Sequence, residues 1–179
     1  MMKNRTIITM ILVVSLITIM AGCAAGAPKP VRNPHFVAHY IRTNGYHSDV
    51  IYPVVSIIRT RTELMDYYDK NKDRYDLDRR SGPVPSDATI GFLDAGDKYD
   101  VPYFENNMLI LLLVEEGSGS IRHEVKDFVQ EEQSTQVLIE RQIPEVGTAD
   151  MAEWHIVLEL EKKDFRDQSI KVVFSDAKA

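Results

Sequence analysis

From residue 108 to residue 174 the chain reads as one strand after another, and that run constrains the fold more than any other feature. Residues 108–115 are nearly all Leu and Ile, the pattern of a strand covered on both faces. Ile121, His123, Val125 and then Phe128 share one side of the next segment, while Arg122, Glu124 and Lys126 point away. Val137, Ile139 and Ile143 alternate with Gln136, Glu140 and Gln142. Trp154, Ile156, Leu158 and Leu160 alternate with His155 and Glu159, and Ile170, Val172 and Phe174 close the series. A two-residue period needs an extended backbone whose side chains fall alternately on two faces. Five such segments at this spacing predict a mostly antiparallel sheet or sandwich.

The region before it has a different texture. Residues 36–42 and 50–58 are rich in Val, Ile and Tyr and predict two strands, with Pro53 confining the second to an edge or a bulge. Thr60 stands three residues ahead of Glu63, the spacing of a capping box, and Leu64, Tyr67 and Tyr68 follow at helical intervals. A helix over 61–74 follows from that pattern. Residues 76–97, with Pro83, Pro85 and several Gly and Asp, read as a long surface connection. The predicted class is α+β: a mostly antiparallel, β-sandwich-like core with one principal helix.

The first 23 residues carry an address. Lys3 and Arg5 precede 15 uncharged residues, 7–21, too short for a bilayer span but suited to the apolar region of a signal peptide. Met20-Ala21-Gly22-Cys23 resembles a bacterial lipobox, in which the cysteine receives a diacylglyceryl group before the peptidase cuts ahead of it. Cys23 is the single cysteine of the chain, which excludes an internal disulfide and any zinc site built on several cysteines. The expected organisation is a lipoprotein signal peptide at 1–22, a lipidated Cys23 with a spacer to 34, and one domain over 35–179. Removing 22 residues from 179 leaves 157, and loss of Lys3 and Arg5 moves the net charge from −6 to −8. A chain of that size buries enough surface to fold without disulfides. Two acyl chains suffice for stable anchoring, so the expected location is the cell envelope, extracytoplasmic and held to the membrane through the N-terminal lipid. The acidic balance argues against nucleic acid as a partner, because phosphate neutralisation calls for a basic face.

No catalytic set is legible. Ser118 and Ser120 lie in Gly-Ser-Gly-Ser, which lacks the Gly-x-Ser-x-Gly elbow and its strand-turn-helix setting. The five histidines, His35, His39, His47, His123 and His155, form no His-Glu-x-x-His motif. His35 and His39 are four apart on a predicted strand, too far to converge on one metal. His47 beside Asp49 reads as a solvated turn with some capacity for proton transfer. Asp94, Asp97 and Asp100 depart from the EF-hand spacing and fit plain turns. No cofactor, metal or catalytic residue is expected.

Two loops are the better candidates for function. Residues 115–120 hold Gly117, Ser118, Gly119 and Ser120, where two glycines permit positive φ and the close approach of a partner's backbone. Residues 144–154 form a connection longer than a simple hairpin, containing Asp150, Met151, Glu153 and Trp154. Trp154 keeps the register of Ile156 and Leu158 and belongs to the core, which leaves Met151 as the exposed anchor. The expected partner-binding set is Gly117, Ser118, Gly119, Ser120, Asp150, Met151 and Glu153.

The run Val101-Pro102-Tyr103-Phe104-Glu105-Asn106-Asn107, the strand at 108–114 and the turn Glu116-Gly117-Ser118-Gly119-Ser120-Ile121 together resemble the C-terminal domain family of the protease-complex subunit PrcB. The resemblance spans residues 54–174 and includes the helix around Glu63-Leu64-Met65-Asp66-Tyr67-Tyr68. The family's usual turn has a Pro-Thr-Gly-Gly-Tyr character, and here it reads Gly-Ser-Gly-Ser-Ile. The resemblance implies a non-catalytic accessory protein that binds a protease or a surface complex. A fainter likeness to the chagasin-type cysteine-protease inhibitors rests on the same loop arrangement, without their Asn-Pro-Thr-Thr-Gly and Arg-Pro-Trp signatures. It implies the alternative of a direct protease inhibitor.

Overall fold

The computed structural model describes residues 33–43, 47–81 and 90–178. The signal peptide, Cys23 and most of the spacer therefore lie outside the described residues. Seven strands form two sheets: β1 (Phe36–Thr43), β2 (Val54–Ile58), β3 (Asn107–Glu116) and β6 (Ala152–Glu161) in the order β1-β6-β3-β2, and β4 (Arg122–Gln130), β5 (Ser134–Ile143) and β7 (Ser169–Lys178) in the order β4-β5-β7. Every pairing is antiparallel except that of β5 with β7, which is parallel. The fold is the expected α+β arrangement, a β sandwich with one main helix.

Three layers result. Met108, Ile110, Leu112 and Val114 of β3 and Trp154, Ile156, Leu158 and Leu160 of β6 face the second sheet, where they meet Val125, Phe128, Val137 and Ile139. On the other face of the larger sheet, Leu109, Leu111, Leu113 and Val157 pack against Leu64, Tyr75, Leu77, Phe92, Tyr99 and Phe104. β3 and β6 are the inner strands of that sheet and are covered on both faces, which explains why the alternation in β6 does not alternate in exposure. His155 is as buried as Trp154. Each fully buried Leu or Ile contributes about 1.5–3 kcal/mol, so these two strands dominate the stability of the domain.

The principal helix α1 spans Arg61–Tyr75. Thr60 caps it, its hydroxyl accepting the Glu63 N–H at 3.1 Å, and the Glu63 carboxylate reaches back to the Arg59 N–H at 2.5 Å. The helix closes at Asp76 in the left-handed conformation, φ 51°, with its N–H on the Lys72 carbonyl.

Two expectations are corrected. The strand expected over 50–58 starts only at Val54, because Pro53 has no N–H to give a ladder and residues 47–52 turn instead, the Val50 N–H meeting the His47 carbonyl at 3.0 Å. The described parts of the expected surface connection over 76–97 are not all surface. Leu77 and Phe92 are buried under the helix layer, and Phe92–Gly96 forms a short helix, α2. A second short helix, α3 (Tyr103–Asn106), leads directly into β3. The offset from Val125 to Phe128 has a plain cause: a bulge shifts the β4–β5 register between Val125 and Asp127.

Candidate functional site

The antiparallel ladders bring the ends of β1, β3 and β5, and the starts of β2, β4 and β6, to one end of the sandwich, and parallel pairing with β5 adds the end of β7. The two candidate loops, β3–β4 and β5–β6, therefore lie side by side although about 30 residues separate them in sequence. They are tied by main chain and side chain. The Gly119 N–H donates to the Asp150 carbonyl at 2.9 Å, and the Ile121 N–H closes the turn on the Ser118 carbonyl at 3.2 Å. Thr148 Oγ1 lies 3.2 Å from Ser118 Oγ and 3.0 Å from Ser120 Oγ, and the Thr148 N–H donates to Ser120 Oγ at 3.1 Å.

Asp150 is the joint of this assembly. Its carboxylate accepts the Arg42 guanidinium of β1 at 2.6 Å and a long contact from the Gly119 N–H at 3.3 Å. The Thr148 hydroxyl and the Arg42 guanidinium hold it down to about 2, so it is charged throughout the physiological range. Neither Gly117 nor Gly119 adopts the positive φ that glycine permits. Gly119 is required by space instead: a Cβ there would stand 2.3 Å from Arg42 Nη2 and 2.4 Å from Asp150 Oδ2. Gly117 meets nothing within 4 Å of such an atom.

Above this hydrogen-bonded base, apolar side chains reach solvent. Val146 is 87% exposed and Met151 43% exposed, both on the β5–β6 loop. A hydrogen-bonded loop base carrying isolated apolar tips is suited to recognition of another protein, because the bonds already limit the chain entropy to be lost on docking.

Glu153 departs from its expected place among the exposed contacts. It is the second residue of β6, in register with Thr43 on β1 and Glu115 on β3, and its side chain turns under the loops with no exposed surface. There its carboxylate accepts the Tyr52 hydroxyl and His47 Nδ1, the latter at 2.7 Å, while Oε2 has no hydrogen-bond partner. Burial and the adjacent carboxylate push the Tyr52 phenol upward, so Tyr52 stays protonated as the donor. His47 is thus no solvated turn residue. Its carboxylate partner is Glu153 rather than Asp49, which pairs with Arg74 at 2.5 Å.

Two buried histidines, His155 and His123, support this end. His155 Nε2 lies 2.8 Å from the Tyr67 hydroxyl of α1, and its Nδ1 lies 3.1 Å from Thr43 Oγ1. Burial lowers its pKa to about 3, so the ring is neutral: Tyr67 donates to Nε2, Nδ1–H donates to Thr43, and Thr43 donates at 3.4 Å to the Glu153 carbonyl. Between the sheets, His123 Nε2 donates to the buried Glu116 carboxylate at 2.8 Å, at the foot of the β3–β4 loop, and Arg141 approaches the same carboxylate at 3.5 Å. The sequence signal for His123 was its place in the apolar phase of β4. The pairing of His47 with Glu153, 106 residues away, left none.

His39, Asp94 and Asp100 have structural partners. His39 Nε2 lies 2.5 Å from Glu159 Oε1, where Lys98 and the Tyr99 and Tyr103 hydroxyls also converge. Asp94 accepts from Arg80 and the Ser81 N–H, and Asp100 caps the Tyr103 N–H at 2.8 Å. Among the described residues, no group of three or more His, Cys, Asp or Glu side chains is placed to hold a metal ion. No protein-family model matches the chain, and no curated protein or solved structure matches it significantly.

Proposed function

We propose that this chain is a lipid-anchored, extracytoplasmic accessory protein that captures a partner protein, a protease or a component of a surface complex, with the β3–β4 and β5–β6 loops. The observation that carries the reading is the exposure of Val146 and Met151 on a loop fastened to its neighbour through Gly119, Thr148 and Asp150. Apolar tips held by a prefolded base are the usual composition of a recognition patch. The lipobox-like Met20-Ala21-Gly22-Cys23 supplies the anchor in this reading, and the PrcB-like run at 101–121 supports a protease-associated role.

The test is positional. A photo-crosslinking amino acid is placed at Val146 or Met151 in the full chain in its own cell envelope, with Val101 as the control. Val101 is exposed and precedes α3 and the start of β3, at the opposite end of the sandwich. A single envelope protein linked from Val146 and Met151 but not from Val101 supports the reading. Equal patterns from all three positions remove the loop end from consideration. Where the linked protein is a protease, loss of its activity on adding the purified chain at micromolar concentration or below marks a direct inhibitor, and unchanged activity marks an accessory subunit.

A further inference from the structure

The four outer edges of the two sheets are not treated alike. On β1 the Arg42 carbonyl is taken by the Arg79 guanidinium at 2.5 Å. β2 is only five residues long and begins just after Pro53. β4 is bent by its bulge, its Val125 N–H is used by the Tyr40 hydroxyl at 2.8 Å, and Glu124 and Lys126 pair on it. A short strand, a proline, a bulge and charges are the devices by which proteins prevent edge-to-edge pairing. β7 lacks the short length, the proline and the bulge, and its charges, Lys171, Asp176 and Lys178, leave residues 172–175 uncharged. It runs ten residues without Gly, Pro or a register shift against β5, and its middle carries Val173 and Phe174, 42% and 37% exposed.

We propose that β7 pairs with β7 of a second copy of this chain, antiparallel, with the two-fold axis at Val173, so that the two three-stranded sheets join into one of six strands. The register follows from the side chains that this axis brings together. On the outer face the β5–β7 row Leu138–Val173 continues into Val173 and Leu138 of the second copy, an unbroken apolar row. The row Glu140–Ser175 continues into Lys171 and Gln136 of the second copy. Lys171 makes no ion pair among the described residues, and across the small Ser175 it reaches toward the Glu140 carboxylate, so the charges complement each other twice. On the inner face, Ile139–Phe174 continues into Val172 and Val137, which extends the sandwich core over the exposed part of Phe174. An isologous contact of this kind closes on itself as a dimer and leaves no free β7 edge.

Residue 173 would then face itself across the axis, with Cα atoms about 4.5–5.5 Å apart, within the range of a disulfide. Residue 175 would lie opposite 171, and its own copy would be about 13 Å away along the strand. The experiment compares the full chains carrying Val173→Cys and Ser175→Cys with the parent, whose only cysteine is Cys23. Under mild oxidation in detergent, the Val173→Cys chain is expected to give a reducible dimer and the other two chains none. A Val173→Lys variant places two ammonium groups on the axis and is expected to weaken self-association at least tenfold in sedimentation equilibrium. No dimer from Val173→Cys overturns the proposal, as do equal yields from Ser175→Cys or a monomeric mass for the parent. A different protein linked to β7 in place of a second copy overturns it as well. The crosslinking comparison decides the matter even where the lysine variant does not fold.

Discussion

Arg42 of β1 and Asp150 of the β5–β6 loop meet at 2.6 Å directly over the Cα of Gly119, so the β3–β4 turn is held beneath an ion pair that leaves no room for a side chain. Gly119→Ala drives a methyl group against both partners. The atoms met are ends of flexible side chains, so the expected loss is modest, about 1 kcal/mol by urea denaturation, with faster proteolysis in both loops. Gly117→Ala, in open space, is expected to change neither quantity. Equal effects at the two glycines would show that the ion pair does not organise the turn.

Glu153 is a structural residue in this fold. Glu153→Ala leaves the Tyr52 hydroxyl and His47 without their acceptor beneath the loops, at an expected cost of about 1–3 kcal/mol. Met151→Ser, on the exposed tip, is expected to stay within about 0.5 kcal/mol of the parent. Chemical denaturation of the two variants side by side distinguishes the roles, and the reverse order of stability would contradict the assignment.

Burial of His155 makes stability depend on pH. The folded ring resists protonation down to about 3, whereas in the unfolded chain it protonates near 6.5. Between those values the unfolded state binds more protons, so this contribution is complete above about 6.5 and declines as the pH falls, by up to about 1.4 kcal/mol per unit. Urea midpoints measured from pH 7 to pH 4.5 are expected to fall more steeply for the parent than for His155→Gln. Parallel curves would mean that His155 is not the buried neutral ring of the Tyr67–His155–Thr43 relay.

Thr60 tests the start of α1. Its hydroxyl satisfies one N–H of the first helical turn, so Thr60→Ala is expected to cost about 1 kcal/mol and Thr60→Ser a fraction of that. Circular dichroism during thermal melting reads both. An alanine variant as stable as the parent would remove the cap from the account.

The elements most legible in the sequence were those set by local rules. The continuous apolar run gave β3, the period-two pattern gave β4 to β7, the Thr60–Glu63 spacing gave α1 to within a residue at its end, and the phase of Trp154 assigned it to the core. The parts that were not legible depend on residues far apart in the chain. His155 and Glu159 share the polar phase of β6, yet one is fully buried and the other partly so. The reason is that Tyr67, Tyr75 and Phe92 of the helix layer close over His155, while Lys98, Tyr99 and Tyr103 gather around Glu159.

The same division holds for the candidate site. A sequence of alternating side chains fixes which residues share a face of one strand, since that follows from backbone geometry alone. It also marks loops at 115–120 and 144–154 through their glycines and their length, although 115–116 belong to β3 and 152–154 to β6. Strand pairing then decided that these loops adjoin, because hydrogen bonding β3 and β5 to β6 and β4 carries their connections to one end. Two layers, one on each face of the larger sheet, decided that Glu153 faces inward to Tyr52 and His47 while Met151, two residues earlier, stays in water. Exposure belongs to what packs above a residue, and for β6 that partner comes from parts of the chain as distant as α1.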